Sequence, residues 1–220
     1  MTTDSVRPRI GLIDYGVGNR RSMEKSLERA GADVLLSGDR AALMECDGVV
    51  LPGVGAFATG MSLLRERGLD ALVKDFASTG RPVIGACLGM QLLLDGSDEF
   101  GGAEGLGLIA GKVTQLDTDG LNLPHTGWNG VRWERETPLS EGLAGCDPPR
   151  PFYHVHSFAP VPEQEDSVLG TSDYGKRFVS VVGRANVMGT QFHPEKSSRD
   201  GIRLLSNFVR LCANAEVTAQ

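Results

Sequence analysis

The chain is 220 residues long, 40% hydrophobic and 23% charged, with a formal net charge of −6, enough apolar material to bury the core of one sizeable domain. Its acidic balance excludes a nucleic-acid footprint, which needs a clustered basic face; the nearest approach to one, Arg20-Arg21, is followed by Glu24 and Glu28 and reads as a solvated helix face. No stretch reaches the roughly 20 consecutive apolar residues of a membrane span, and the polar N-terminus lacks the apolar centre of a secretory leader, so a cytoplasmic protein is expected.

Short apolar runs alternate with segments of helical period, the pattern of a sheet covered by helices. Residues 10–14 read as a first buried strand, followed by the glycine-rich 15–19 and a helix over 22–29 with Met23, Leu27 and Ala30 on one face. Strands over 34–36 and 48–51 enclose a short helix at 40–45. Residues 61–64 and 69–77 are helical, ended by Gly80, and a fourth strand at 82–86 runs straight into a helix over 88–94. Beyond Gly96 the texture changes. Gly101, Gly102, Gly105, Gly107 and Gly111 punctuate a loop, and the alternation after it predicts antiparallel strands over 112–116, 129–134, 152–158, 167–171, 178–182 and 187–192. A last helix spans 201–212, with Ile202, Leu205, Phe208, Val209 and Cys212 at three- and four-residue spacing. With no repeat, low-complexity tract or linker, the expectation is one α/β domain over 1–220. Its sheet should be mixed, mostly parallel and flanked by helices, with additional antiparallel strands. Residues 1–8 and 214–220 are expected to be flexible ends.

Of the four cysteines, Cys46, Cys146 and Cys212 read as core or loop fillers; no C-x-x-C pair points to zinc or to a disulfide framework. Cys87 differs, because it sits in Gly85-Ala86-Cys87-Leu88-Gly89 between a predicted strand and a predicted helix. A sharp strand-to-helix turn strains its central residue, and flanking glycines keep the neighbouring backbone from clashing. The turn would lift the sulfur above the sheet at a helix N-terminus, where the dipole favours thiolate and the Leu88 N–H faces a developing oxyanion. Polar Gln91 interrupts the apolar run one helical turn later and is placed to hold a polar substrate. Alone, the motif is equally compatible with a structural cysteine in a tight turn.

A cysteine nucleophile needs a base, and the histidines are His125, His154, His156 and His193. His193-Pro194-Glu195 ends a predicted strand; side chains at i and i+2 share one side of extended chain, and the proline keeps it extended. Glu195 would accept from one ring nitrogen and leave the other for Cys87. The order Cys, His, Glu differs from the nucleophile, acid, histidine order of α/β-hydrolases.

Gly85 through Gln91, together with Gln191-Phe192-His193-Pro194-Glu195-Lys196-Ser197, resembles the class I (triad) glutamine amidotransferases. Asp14-Tyr15-Gly16-Val17-Gly18-Asn19, Leu51-Pro52-Gly53-Val54-Gly55-Ala56-Phe57, Pro124-His125-Thr126-Gly127-Trp128-Asn129 and His156-Ser157-Phe158 narrow the resemblance to the glutaminase subunits of imidazole glycerol phosphate synthases, over about residues 9–212. The resemblance implies Cys87 as nucleophile, His193 as base and Glu195 as its orienter. It places the oxyanion hole at the Leu88 N–H and the peptide around Gly53 and Val54, whose rotation would couple activity to a partner. Gln91, Gly55, His156, Ser157 and Phe158 would hold the α-amino and carboxylate groups of L-glutamine. Family members usually carry tyrosine at the position of Phe158, and an aromatic or aliphatic residue at that of His154. No metal or organic cofactor is implied.

The implied partner is a (β/α)8-barrel cyclase, joined as a heterodimer that receives ammonia for histidine biosynthesis. Asn19, His125, Trp128 and Asn129 form the candidate docking surface. Three alternatives stand beside this reading: a class I glutaminase serving another synthase, a catalytically silent scaffold, and a stand-alone thiol hydrolase.

Overall fold

The computed structural model describes residues 7–215. β1 (Arg9–Ile13) leads through a glycine-rich turn into α1 (Arg20–Arg29), followed by β2 (Asp33–Ser37), α2 (Arg40–Met44) and β3 (Gly48–Leu51). Next come α3 (Phe57–Glu66), α4 (Leu69–Ser78), β4 (Val83–Ala86) and, one residue later, the single-turn helix α5 (Leu88–Gln91). The middle of the chain supplies β5 (Leu94–Ser97), β6 (Ala103–Glu104), β7 (Ile109–Gln115), β8 (His125–Gly130) and β9 (Arg132–Trp133). The last part holds β10 (Pro151–His156), β11 (Phe158–Pro162), β12 (Val168–Tyr174), β13 (Lys176–Arg184), β14 (Val187–Thr190) and α6 (Ser198–Ala215).

The main sheet is eight-stranded in the order β2-β1-β3-β4-β14-β13-β12-β9. Its half from β2 to β14 is parallel and its half from β14 to β9 antiparallel, as expected for a mixed sheet. The inner parallel strands β1, β3, β4 and β14 are buried on both faces because successive side chains enter different cores, while the edge strand β2 is partly exposed. Val49 and Leu51 join Phe57, Met61, Leu72 and Phe76 from α3 and α4, while Val50 joins Met23 and Leu27 of α1 and Leu204 and Phe208 of α6. The helices bury one stripe each, as with Leu69, Leu72, Val73 and Phe76 in α4. Asp39 starts α2 by accepting from Ala42 N–H at 2.8 Å.

Two smaller sheets stand beside this frame, β10-β8 and β11-β7-β5-β6. They hold the departures from expectation. The helix expected over 88–94 stops at Gln91, because the Leu92 and Leu93 carbonyls accept instead from Leu106 and Leu108 N–H, both at 2.9 Å. An apolar run of leucines does not distinguish those alternatives. The glycines read as loop punctuation partly serve this sheet: a Cβ on Gly105 would lie 2.1 Å from the Leu94 carbonyl oxygen. The strand expected over 129–134 starts earlier, at His125, and is divided into β8 and β9. That expected over 152–158 breaks at Ser157, where the chain passes from the β8 partnership to the β7 partnership.

The ends are more ordered than expected where they are described. Pro8 accepts from Asp33 N–H at 3.0 Å, and α6 continues through Asn214 to Ala215. The rest of the flexible-ends expectation lies outside the described residues. Among the described residues no helix is long and apolar enough to cross a membrane.

Candidate active site

Cys87 occupies a left-handed conformation, φ 52 and ψ −113, between β4 and α5. A non-glycine residue there costs about 1–3 kcal/mol and persists only where packing over-determines it. The packing is visible. A Cβ on Gly85 would sit 2.6 Å from the Gly89 carbonyl, and one on Gly89 would sit 1.8 Å from the Leu51 oxygen. The motif's glycines are therefore required by close backbone approach. The helix-dipole expectation needs correction: α5 is four residues long, and what it offers is the unpaired amides of a first turn rather than a macrodipole.

β14 lies beside β4 in parallel register, with Thr190 opposite Ala86. Beyond the end of β14, His193 is extended, and Pro194–Lys196 forms a 3-10 turn rather than the extended chain expected. The pairing holds across that turn, with His193 Nδ1 2.9 Å from Glu195 Oε1 and both side chains almost fully buried. β10 clamps the segment: His193 N–H donates to Tyr153 O at 2.9 Å, while the Ser197 hydroxyl donates to His193 O at 2.6 Å and accepts from Tyr153 N–H at 3.0 Å.

His193 Nε2 is sealed from solvent and makes no hydrogen bond of ordinary geometry. Burial works against a charged ring, but the Cys87 thiol and the Glu195 carboxylate outweigh it and raise the His193 pKa to about 9. A base with those two neighbours is poised to hold the thiol's proton.

Cys87 and His193 open onto a cavity of about 290 Å³. Of the residues expected to bind substrate or oxyanion, Val54, Gly55, Leu88, Gln91, His156, Ser157 and Phe158 line it, and Gly53 does not. Gly53 lies beneath, where an added Cβ would meet the Tyr15 hydroxyl at 2.6 Å and Gly89 N at 2.8 Å. Tyr15 donates to Pro52 O at 2.6 Å, which pins that side of the loop. The freedom expected of the glycines therefore sits at Gly55, with φ 103 and open space around it. A larger cavity, about 670 Å³ beside Leu139, Leu169, Met188 and Leu211, contains neither cysteine nor histidine and lies apart from this chemistry.

Sequence reasoning did not single out Glu99, Tyr15 or Gln191. Glu99 lines the cavity, with Oε2 accepting from Phe57 N–H at 2.7 Å; an acid in a glycine-rich stretch gives no signal of that. Gln191 lies inside the quoted motif as a polar side chain in an apolar run, and it is fully buried.

The residues expected to form an exposed face are only partly exposed. Trp128 is 56% exposed and stands edge-on to Tyr153, while Asn19 and Asn129 are half-buried. His125 is a correction: it is buried, stacked on Tyr174, with Nδ1 3.1 Å from His156 Nε2 and Nε2 3.3 Å from Asn129 Nδ2. β8 points it inward, where it joins His154 and His156 in a buried cluster.

The sequence profile of the family "Glutamine amidotransferase class-I" matches residues 11–212. The chain is 50% identical over 205 residues to the imidazole glycerol phosphate synthase subunit HisH of Symbiobacterium thermophilum, covering 92% of this chain and 94% of that one. It is 45% identical over 210 residues to the protein of the same name from Moorella thermoacetica, covering 96% and 98%. Among solved structures, a Thermoplasma acidophilum protein assigned to GMP synthase superposes with a TM-score of 0.73 at 20% identity, over 98% of this chain and all (100%) of that one. PurLQS from Thermotoga maritima superposes at 0.70 with 19% identity, over 94% and 98%. Those two likenesses speak for the fold. The chain belongs to the class-I glutamine amidotransferases, in the branch of the imidazole glycerol phosphate synthase HisH subunits.

Proposed function

We propose that this chain is the glutaminase subunit of an imidazole glycerol phosphate synthase, releasing ammonia from L-glutamine with Cys87, His193 and Glu195. The observation that carries the reading is a strained cysteine sharing one cavity with a histidine whose far nitrogen is 2.9 Å from a buried carboxylate. His193 holds the Cys87 proton, and the thiolate attacks the side-chain amide carbon. The Leu88 N–H and the peptide around Val54 receive the oxyanion. The imidazolium returns its proton to the departing nitrogen, leaving a glutamyl thioester and ammonia. Water, deprotonated by the same ring, then converts the thioester to glutamate and restores the thiol.

The cavity's groups suit the rest of glutamine. The Glu99 carboxylate matches the α-ammonium, and Gln91, Gly55 and the backbone of 156–158 offer donors and acceptors to the amino-acid end. Phe158 lacks the hydroxyl that the family usually carries, but its carbonyl faces Gln91 and packing holds its ring against the core. Ammonia would pass to a (β/α)8-barrel cyclase docked over Asn19, Trp128 and Asn129, in a cytoplasmic heterodimer. An exposed tryptophan beside polar side chains suits such an interface.

The test is glutamate release from glutamine by the chain alone, and then with its cyclase and the cyclase's nucleotide ligand. A rise on adding both supports the complete proposal. Equal rates would retain the chemistry and remove the coupling, and no glutamate in either case would overturn it.

A further inference from the structure

From the hydrogen bonds around the nucleophile, whose sulfur also lies 3.9 Å from the Val155 carbonyl, we infer that Gln191 is a further partner of Cys87, holding an amide N–H on the sulfur and stabilising its thiolate. The inference rests on Cys87 being the nucleophile of the proposed reaction. The Gln191 side chain is fully buried, and its Nε2 lies 3.8 Å from Cys87 Sγ.

Its orientation is not arbitrary. An amide can be turned end for end, so its direction must follow from fixed partners. The fixed partner is the Phe158 carbonyl, which can only accept. It lies 3.1 Å from the Gln91 amide, so the nitrogen of Gln91 must face it. The same nitrogen is 3.1 Å from the Gln191 amide, which must therefore present its oxygen. Gln191 is left with its NH₂ toward the sulfur.

The Phe158 carbonyl is itself held in place. It accepts from His156 Nδ1 at 2.9 Å, which leaves His156 Nε2 as an acceptor for His125 Nδ1 at 3.1 Å. His125 Nε2 then accepts from Asn129 Nδ2 at 3.3 Å. One directed chain of donors thus runs from half-buried Asn129 to the carbonyl that sets both glutamines.

A buried amide proton needs an acceptor. A thiol sulfur is a weak one, and a thiolate is far stronger. The arrangement therefore favours the charged form of the sulfur independently of the helix dipole, which α5 is too short to supply. Gln191 acts here by positioning and charge, and it exchanges no proton.

The test is the pH dependence of Cys87 alkylation by iodoacetamide in the full chain. It is read by mass spectrometry of the Cys87 peptide, so that Cys146 does not contribute. Gln191→Met keeps the volume and removes the donor; its alkylation midpoint should move up by about one pH unit. Gln91→Met, which frees the Gln191 amide to turn, should move it less and in the same direction. A folded Gln191→Met protein with the wild-type midpoint would overturn the inference. If Gln191→Met does not fold, an unchanged midpoint in Gln91→Met overturns it instead. Alkylation involves no glutamine. Shifted midpoints with no glutamate release by the wild type would sink the glutaminase proposal and keep only the Gln191 hydrogen bond to the sulfur, without a role in that reaction; glutamate release by the wild type with unshifted midpoints would keep the glutaminase and overturn this inference.

Discussion

The backbone N–H of Cys87 donates to the carbonyl of Thr190 at 2.7 Å, so the proposed nucleophile is tied to the strand that leads to its proposed base, His193. Cys87→Ala should lower glutamate release by about 10³-fold or more, while ammonia-dependent synthesis by the cyclase continues. Cys87→Gly should be equally inactive yet more stable than Cys87→Ala by about 1 kcal/mol, because glycine occupies this conformation without strain. Urea unfolding of the two variants checks it; equal midpoints would mean that the turn stores no strain.

Glu195→Gln preserves the shape of the carboxylate and removes its charge. The His193 pKa, raised to about 9 in the folded protein, should fall, as followed by the ring's NMR titration. A raised pKa contributes stability that is complete below the unfolded value of about 6.5 and is lost as pH climbs toward 9. The wild type should therefore weaken across that window, less steeply than a full proton would require because Cys87 shares the proton, and the variant should weaken by less. The same slope in both would remove Glu195 from the pair.

The buried histidine cluster works in the opposite direction. Burial, followed by the neighbouring rings, holds His156 down to about 3 and His154 well below its ordinary value, and burial also lowers His125. Unfolding lets each bind a proton, so their stability is fully present above about pH 6.5 and declines as pH falls below it. His154 Nε2 is moreover buried without a partner. His154→Phe should raise stability and reduce the loss between about pH 7.5 and about pH 5.5 in urea titrations. An undiminished loss would place the acid sensitivity elsewhere.

Tyr15→Phe deletes the hydroxyl that holds the Pro52 carbonyl. The loss should cost about 1 kcal/mol of stability and loosen the loop carrying Val54. Glutamate release without the cyclase should then rise several-fold, narrowing the ratio of partnered to unpartnered rates. A basal rate that falls instead would mean that the pinned loop is already the competent one.

The parallel half of the sheet was legible because its inner strands are buried on both faces and its strands are separated by helices of clear period. The same holds for Cys87, His193 and Glu195, since a strand-to-helix turn flanked by glycines and a His-Pro-Glu segment each carry a local mechanism. Less was visible between Leu92 and Phe158. There, neighbouring carbonyls compete for the same backbone, as Leu92 and Leu93 illustrate, and a corner such as Ser157 leaves no break in alternation. His125 was misplaced because β8 begins earlier than its polar composition indicates, and one residue of register decides which face a side chain takes. Gln191, Glu99 and Tyr15 act through partners distant in sequence, which no local spacing records.

The adjacency of β4 and β14 also has a temporal side. Cys87 is translated long before His193, with nearly half of the chain made in between. Until residues 187–190 arrive, β4 lacks its neighbour on one side and stands as an open edge. A chain made only that far would hold Cys87 without the proposed base and β4 with an unpaired edge, and the same segment that pairs that edge leads on to His193. One ladder would thus govern both when the thiol gains its proposed base and how long an open edge is available for wrong pairing during synthesis.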